Sequence, residues 1–329
     1  MKQPSTSFQE VIPAGEAEKF ENYAQKLKLI QRAKSQKYGK GRLLHRKGLL
    51  ALKAEFHVNA GLPAYAAQGI FAKAAQYDAV IRLSNGSLDI QGDKKPDIRG
   101  FALKVTGVKG KSILTGQPTT EQDFVMINHL TFSSARAEDF LDLLLELSSG
   151  PMAAIKHLIK KNGFFGMLKA LGHLSKVIGK KFASFATEQV STALPIKIGD
   201  YAAKLRLLPQ NGALPAAPKD DLTADLRAIL KNKPLNYDVQ LQFYTDATTT
   251  PIEDASVEWP QAESPYITVG KLVIPPQELS GAEYEKFAAE VELMKFDPWN
   301  AIQEHQPLGN IMRARKAAYF ASQKGRGVA

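Results

Sequence analysis

The chain has 329 residues, 44% hydrophobic and 23% charged, near the averages of soluble globular proteins, so neither disorder nor membrane spanning is expected. It has no cysteine, which excludes disulfides, thiolate metal sites and a thiolate-ligated haem. The formal charge of +10 is spread without a basic run of five or more, and no aromatic-interleaved basic motif stands out, so no nucleic acid is expected as a partner.

Residues 1–40 are polar and lysine-rich and read as an N-terminal arm. No apolar stretch follows Lys2, so no secretory signal is read there and a cytoplasmic location is the expectation. Within the arm, the run from Glu16 to Glu21 opens a helix that continues toward Gln31. From Leu49 to about Asn128, alternating segments punctuated by Gly and Pro predict an antiparallel sheet. Arg82 and Ser84 lie two apart on one such strand and must share a face.

Between residues 136 and 190 the apolar spacing turns helical, as in Phe140, Leu143, Leu144 and Leu147, and then Ile155, Leu158 and Ile159. Lys156, Lys160, Lys161, Lys169, Lys176, Lys180 and Lys181 decorate this helical insertion around Gly163-Phe164-Phe165-Gly166. Two readings stay open: helices packed on a barrel with a solvated basic face, or a basic amphipathic surface for weak contact with acidic lipid or a fatty-acid hydroperoxide. Strands resume after Pro195 through Lys204 to Leu207. The segment from Gly212 to Pro218 reads as a loop, followed by a short helix from Asp220 to about Lys231. Strands at Tyr237 to Tyr244 and Tyr266 to Ile274 would complete a barrel before a terminal helix.

That helix carries the most informative spacing, with Arg315 four residues ahead of Tyr319 and Arg326 seven beyond it. Residues four apart on a helix are neighbours, so the Arg315 guanidinium can reach the Tyr319 phenol. Holding a tyrosine as phenolate at pH 7 costs about 4 kcal/mol, which an arginine and a ferric ion together can offset. By itself, an arginine and a tyrosine at this spacing also describe an ordinary surface pair.

Several blocks at the other end of the chain agree with it in order: Arg42-Leu43-Leu44-His45, Ile81-Arg82-Leu83-Ser84-Asn85-Gly86, Pro96-Asp97-Ile98-Arg99-Gly100-Phe101 and Asp123-Phe124-Val125-Met126-Ile127-Asn128. With Phe296-Asp297-Pro298-Trp299-Asn300 and the Arg315–Tyr319 pair, they resemble the catalase family from about Tyr38 to Arg326. The resemblance implies an α+β fold: a catalase-like antiparallel β-barrel with a helical insertion at 136–190, a C-terminal proximal helix, and a single haem domain over residues 41–329. It also implies haem b, iron protoporphyrin IX, as cofactor.

Carried over residue by residue, His45 becomes the distal histidine, Ser84 its support and Asn128 the distal asparagine. Tyr319 becomes the iron ligand and Arg315 its partner, while Arg42, Arg82 and Arg326 become the propionate arginines. The implied function is a peroxidase or catalase that reduces hydrogen peroxide or organic hydroperoxides through a ferryl intermediate, with a small organic reductant, as a homo-oligomer. His45 would shuttle the proton, and the Asn128 amide would orient the peroxide.

The sequence departs from full-length catalases at Leu44 and at Ile127-Asn128, and it ends three residues after Arg326. The likeness is therefore nearer to the small catalase-related peroxidases, for which a wider entry and organic hydroperoxides are expected. An allene-oxide-synthase-like rearrangement of fatty-acid hydroperoxides and a non-catalytic haem- or lipid-binding role are the alternatives. The remaining histidines, His57, His129, His157, His173 and His305, show no zinc-site spacing, though His129 adjoins Asn128 and could shape the distal side.

Overall fold

The computed structural model describes residues 2–214 and 221–328. Strands β1 (Gly48–Val58), β2 (Ala75–Asn85), β3 (Arg99–Lys111) and β4 (Pro118–Ile127) form an antiparallel meander. After a helical excursion come β5 (Val190–Ser191), β6 (Ile196–Ile198), β7 (Tyr201–Pro209), β8 (Leu235–Phe243) and β9 (Tyr266–Ile274). β9 pairs back onto β1, and β5 bridges β4 to β7, so eight antiparallel strands close on themselves while β6 extends β7 as a hairpin. Closure leaves these strands no free edge.

Period-two alternation decides what fills the barrel. On β1, Leu52, Ala54, Phe56 and Val58 are buried inside, whereas Lys53, Glu55 and His57 face outward. Phe56 stacks on Phe124 of β4, their ring centroids 6.2 Å apart. Each such buried aromatic contributes on the order of 2–3 kcal/mol of transfer free energy. His57 pairs with Glu55 on the outer face, at 2.9 Å.

The helical insertion consists of α2 (Ala137–Ser149) and α3 (Pro151–Ile178), packed on one another within the expected bounds. The short helix after β7 is α4 (Leu222–Leu230), started by Asp221, whose carboxylate accepts from the Thr223 and Ala224 amides. The loop expected over Gly212 to Pro218 lies partly outside the described residues. Helix α5 (Gly281–Leu293) packs on β1 and β2, and the terminal α6 (Asn310–Arg326) packs on α1 and α2.

The arm at residues 1–40 holds a helix, α1 (Glu16–Tyr38), longer than the run expected from the sequence. It packs against α6 and buries Phe20 and Leu27 in the main core. Ion pairs lock it there: Arg313 of α6 binds Glu10, Glu16 and Glu253, each at 2.6–2.9 Å.

Candidate active site

A cavity of about 530 Å³ lies outside the barrel wall, between β2–β4 and helices α1, α2 and α6. Strand register builds its floor. Ser84 stands opposite Gly100, Arg82 opposite Ala102, and Ala102 and Gly100 opposite Val125 and Ile127, so all six occupy one face. The intervening Ile81 and Leu83 go to the core. Helix α6 supplies the facing wall through Ile311, Arg315, Tyr319, Ser322 and Arg326, spaced three to four residues apart.

On that wall the Arg315 guanidinium donates to the Tyr319 hydroxyl oxygen at 2.8 Å and lies 5.1 Å from the ring centroid. The phenol oxygen therefore has a cation beside it on its own helix. Asp297, accepting from Gln323 at 2.6 Å and from the Trp299 amide at 2.9 Å, ties α6 to the preceding loop.

His45 faces the same cavity from the loop before β1. Its φ is 53°, a left-handed conformation that costs a non-glycine residue on the order of 1–3 kcal/mol. Both of its backbone groups are held: its amide donates to Gly86 at 3.0 Å, and its carbonyl accepts from Arg82 at 3.0 Å. Its Nδ1 lies 3.0 Å from the Ser84 hydroxyl. Burial, and then Arg82, Arg315 and Arg42, push the imidazole down to about 3, so it is neutral at pH 7 instead of titrating near the ordinary 6.5.

Gly100 makes room for that ring. A Cβ built on it would stand 2.4 Å from His45 Nδ1 and 2.6 Å from Ser84 Oγ. Any larger residue would displace the pair.

Arg42, Arg82 and Arg326 converge at the cavity edge on the end of α5. Arg82 Nε donates to Glu292 Oε2 at 2.7 Å, and Arg42 reaches the same carboxylate. Arg42 and Arg326 both donate to the Glu292 carbonyl, at 3.0 and 3.1 Å. Burial and the neighbouring Arg82 lower Arg42 to about 9.

Of the residues expected at the site, His45, Ser84, Arg42, Arg82, Arg315, Tyr319 and Arg326 all line this one cavity. Asn128 does not. It follows Ile127, which takes the cavity face, so alternation turns it away. Its Oδ1 accepts from the Arg99 amide at 2.8 Å, and its Nδ2 is buried without a partner. His129 lines the cavity in its place, lowered to about 4 by burial and by Lys180.

No protein-family model matches this sequence, and no curated protein matches it. Solved structures do match the architecture. A fungal catalase superposes with a TM-score of 0.69 at 16% identity, over 88% of this chain and 59% of its own. A bacterial catalase gives 0.66 at 15%, over 87% and 57%. Catalase A from Saccharomyces cerevisiae gives 0.67 at 17%, over 87% and 61%.

The fold is catalase-like. The chain spans about three fifths of the length of those catalases. Within this catalase-like barrel, two contributors, Gly100 and Glu292, escaped sequence reasoning. Gly100 sat in a quoted motif, and only the Ser84–Gly100 register reveals its role. His129, flagged as a neighbour of Asn128 that could shape the distal side, does line the cavity, and Asn128 does not. Glu292 lies in an acidic helix with no distinguishing spacing, and no sequence signal singles it out.

Proposed function

We propose that this protein is a haem-dependent hydroperoxidase in which Tyr319 ligates the iron and His45 handles the peroxide protons. One observation carries the reading: the Tyr319–Arg315 pair and the His45–Ser84 pair open into a single cavity edged by three guanidiniums. The residues present suit the group. Three arginines against the one Glu292 carboxylate leave two positive charges, which the two carboxylates of haem b would neutralise through fork-shaped pairing. The cavity volume falls in the usual range for cofactor and ligand sites, about 300–1,000 Å³.

Once bound, haem would supply the redox chemistry of O–O cleavage, and the chain supplies orientation and proton handling. Tyr319 Oη would hold the iron, with Arg315 compensating the negative charge of an oxygen ligand. Arg42, Arg82 and Arg326 would take the carboxylates. Ser84 engages His45 Nδ1 and leaves Nε2 for the substrate. A neutral imidazole can accept the proton of the near peroxide oxygen and return it to the departing one, which leaves as water or an alcohol. Anions placed on Arg42 and Arg82 would weaken two of the repulsions that oppose this protonation.

Substrates are hydrogen peroxide or organic hydroperoxides, with a small organic reductant. A second reading, rearrangement of a fatty-acid hydroperoxide, draws on the apolar wall formed by Leu143, Leu144, Leu147, Leu174 and Val177. Titration with haem, followed by an absorbance spectrum and stopped-flow mixing with hydrogen peroxide and cumene hydroperoxide, tests the proposal. A ferric tyrosinate spectrum that Tyr319→Phe shifts, and peroxide turnover that His45→Ala abolishes, are expected. A protein that takes up no haem, or peroxide turnover untouched by His45→Ala, would overturn it. Product analysis with a lipid hydroperoxide separates the two readings, because rearrangement gives an epoxide and reduction gives the alcohol.

A further inference from the structure

Helix α3 is interrupted at Gly163, whose φ of 69° and ψ of 176° break the helix and turn the next two side chains outward. Phe164 and Phe165 are 58% and 83% exposed, and their rings meet edge-on at 5.7 Å. Met152, Ile159 and Leu168 are exposed on the same helix, while Ala154, Leu158 and Met167 are its buried residues. Leaving two aromatics in water forgoes transfer free energy that burial would recover.

Along α3 itself the charge has one sign. The 28 residues of α3 include five lysines and no Asp or Glu, and Lys180 and Lys181 follow directly. Lys161 is paired with Asp139 of α2 at 2.6 Å, whereas Lys156, Lys160, Lys169 and Lys176 are exposed. Two copies docked through this face would set lysines against lysines, with no carboxylate on α3 to relieve them. A negatively charged apolar surface would satisfy both features at once. No helix among the described residues is long and apolar enough to cross a membrane.

We propose that this face docks on an anionic lipid bilayer, with Phe164 and Phe165 entering the boundary between headgroups and acyl chains and the exposed lysines meeting lipid phosphates. Leu147 of α2, which packs against α3, lines the cavity described above and is 40% exposed. Docking depends on α3 alone and stands or falls separately from the haem reading.

The test is co-sedimentation of the full chain with vesicles of phosphatidylcholine, with and without phosphatidylglycerol. Binding to the anionic vesicles only, lost on raising salt and in the Phe164→Ser, Phe165→Ser double variant, is expected. Lys156→Gln, Lys160→Gln and Lys169→Gln should each weaken binding by about fivefold, and they carry the test if the double variant does not fold. Absence of binding to anionic vesicles, equal binding to both compositions, or lysine variants that bind unchanged would overturn the proposal. So would light scattering in which the double variant turns an oligomer into monomers, since that assigns the face to a second copy.

Discussion

Arg82 grips both oxygens of Glu292, its Nε donating to Oε2 at 2.7 Å and its Nη2 to Oε1 at 3.2 Å. Arg42 and Arg326 complete the cluster, so the C-terminal end of α5 serves as an internal anion among three cations. Helix C-termini favour cations in any case. Glu292→Gln removes the charge and keeps the volume. The haem-free variant should lose about 1–2 kcal/mol, discounted because the glutamate side chain is 43% exposed. Two haem carboxylates would supply the missing countercharge, so the loss should shrink once haem is bound. Denaturant titration of both forms measures this, and an equal loss in each would show that no anion joins the arginines.

Gly100→Ala puts a methyl group where His45 and Ser84 already are. The cost to stability should be modest, about 1–3 kcal/mol, as for other overpacked sites. Peroxide reactivity should fall by tenfold or more, because a displacement of about 1 Å at a reacting group can cost a hundredfold. Stopped-flow rates at matched haem occupancy decide this. Wild-type rates in Gly100→Ala would mean that the His45–Ser84 contact does not govern the reaction.

The helix face bearing Arg315, Tyr319 and Arg326, and the strand face bearing Arg82 and Ser84, were legible in the sequence because periods of 3.6 and 2 are written into residue spacing. What spacing cannot reveal is where a strand ends. Ile127 is the last residue of β4, and one step of alternation decides whether it or Asn128 meets the cavity. Likewise, the arm reads as polar because the apolar residues that α1 buries, Phe20, Ala24 and Leu27, form a narrow stripe among many charges. Asn128→Ala is therefore expected to cost about 1–2 kcal/mol through the orphaned Arg99 amide and to change peroxide rates less than threefold. A drop in rate comparable to that of His45→Ala would return Asn128 to the reacting side.

His305 provides a pH test away from the site. It is fully buried; its Nε2 accepts from the Ile70 amide at 3.0 Å, which needs the neutral ring, so Nδ1 carries the proton and donates to the Lys197 carbonyl at 3.1 Å. Burial lowers it to about 4, against an ordinary 6.5. Below pH 6.5 the unfolded chain binds the extra proton and the folded one does not, so this contribution is complete above 6.5 and is lost as pH falls toward 4. The full loss is about 3 kcal/mol. His305→Gln should be less stable at pH 7 but show a flatter decline between pH 6.5 and 4.5. Parallel stability–pH curves for the two proteins would refute the assignment.

Arg313 ties the terminal helix to the arm and to Glu253. Its guanidinium holds Glu10, Glu16 and Glu253; of these, Glu10 accepts from the Gly309 amide at 2.7 Å and Glu253 from the Asn310 amide at 3.0 Å, at the start of α6. The helix dipole and one arginine together make three neighbouring carboxylates tolerable. Arg313→Met strands them, and breaking such a buried network typically costs about 3–5 kcal/mol. Arg313→Lys should recover only part of this, because a compact ammonium cannot span three carboxylates as a planar fork does. Since α1 and α6 both line the cavity, through Gln31 and Tyr319, loosening their contact should also speed haem loss to an acceptor protein. Limited proteolysis within residues 2–15, run beside the haem-transfer assay, separates a detached arm from a globally weakened fold. Early cleavage there, with faster haem loss, is the expected pair of results, and an uncleaved arm in Arg313→Met would mean that the packing of Phe20 and Leu27 alone holds α1 in place.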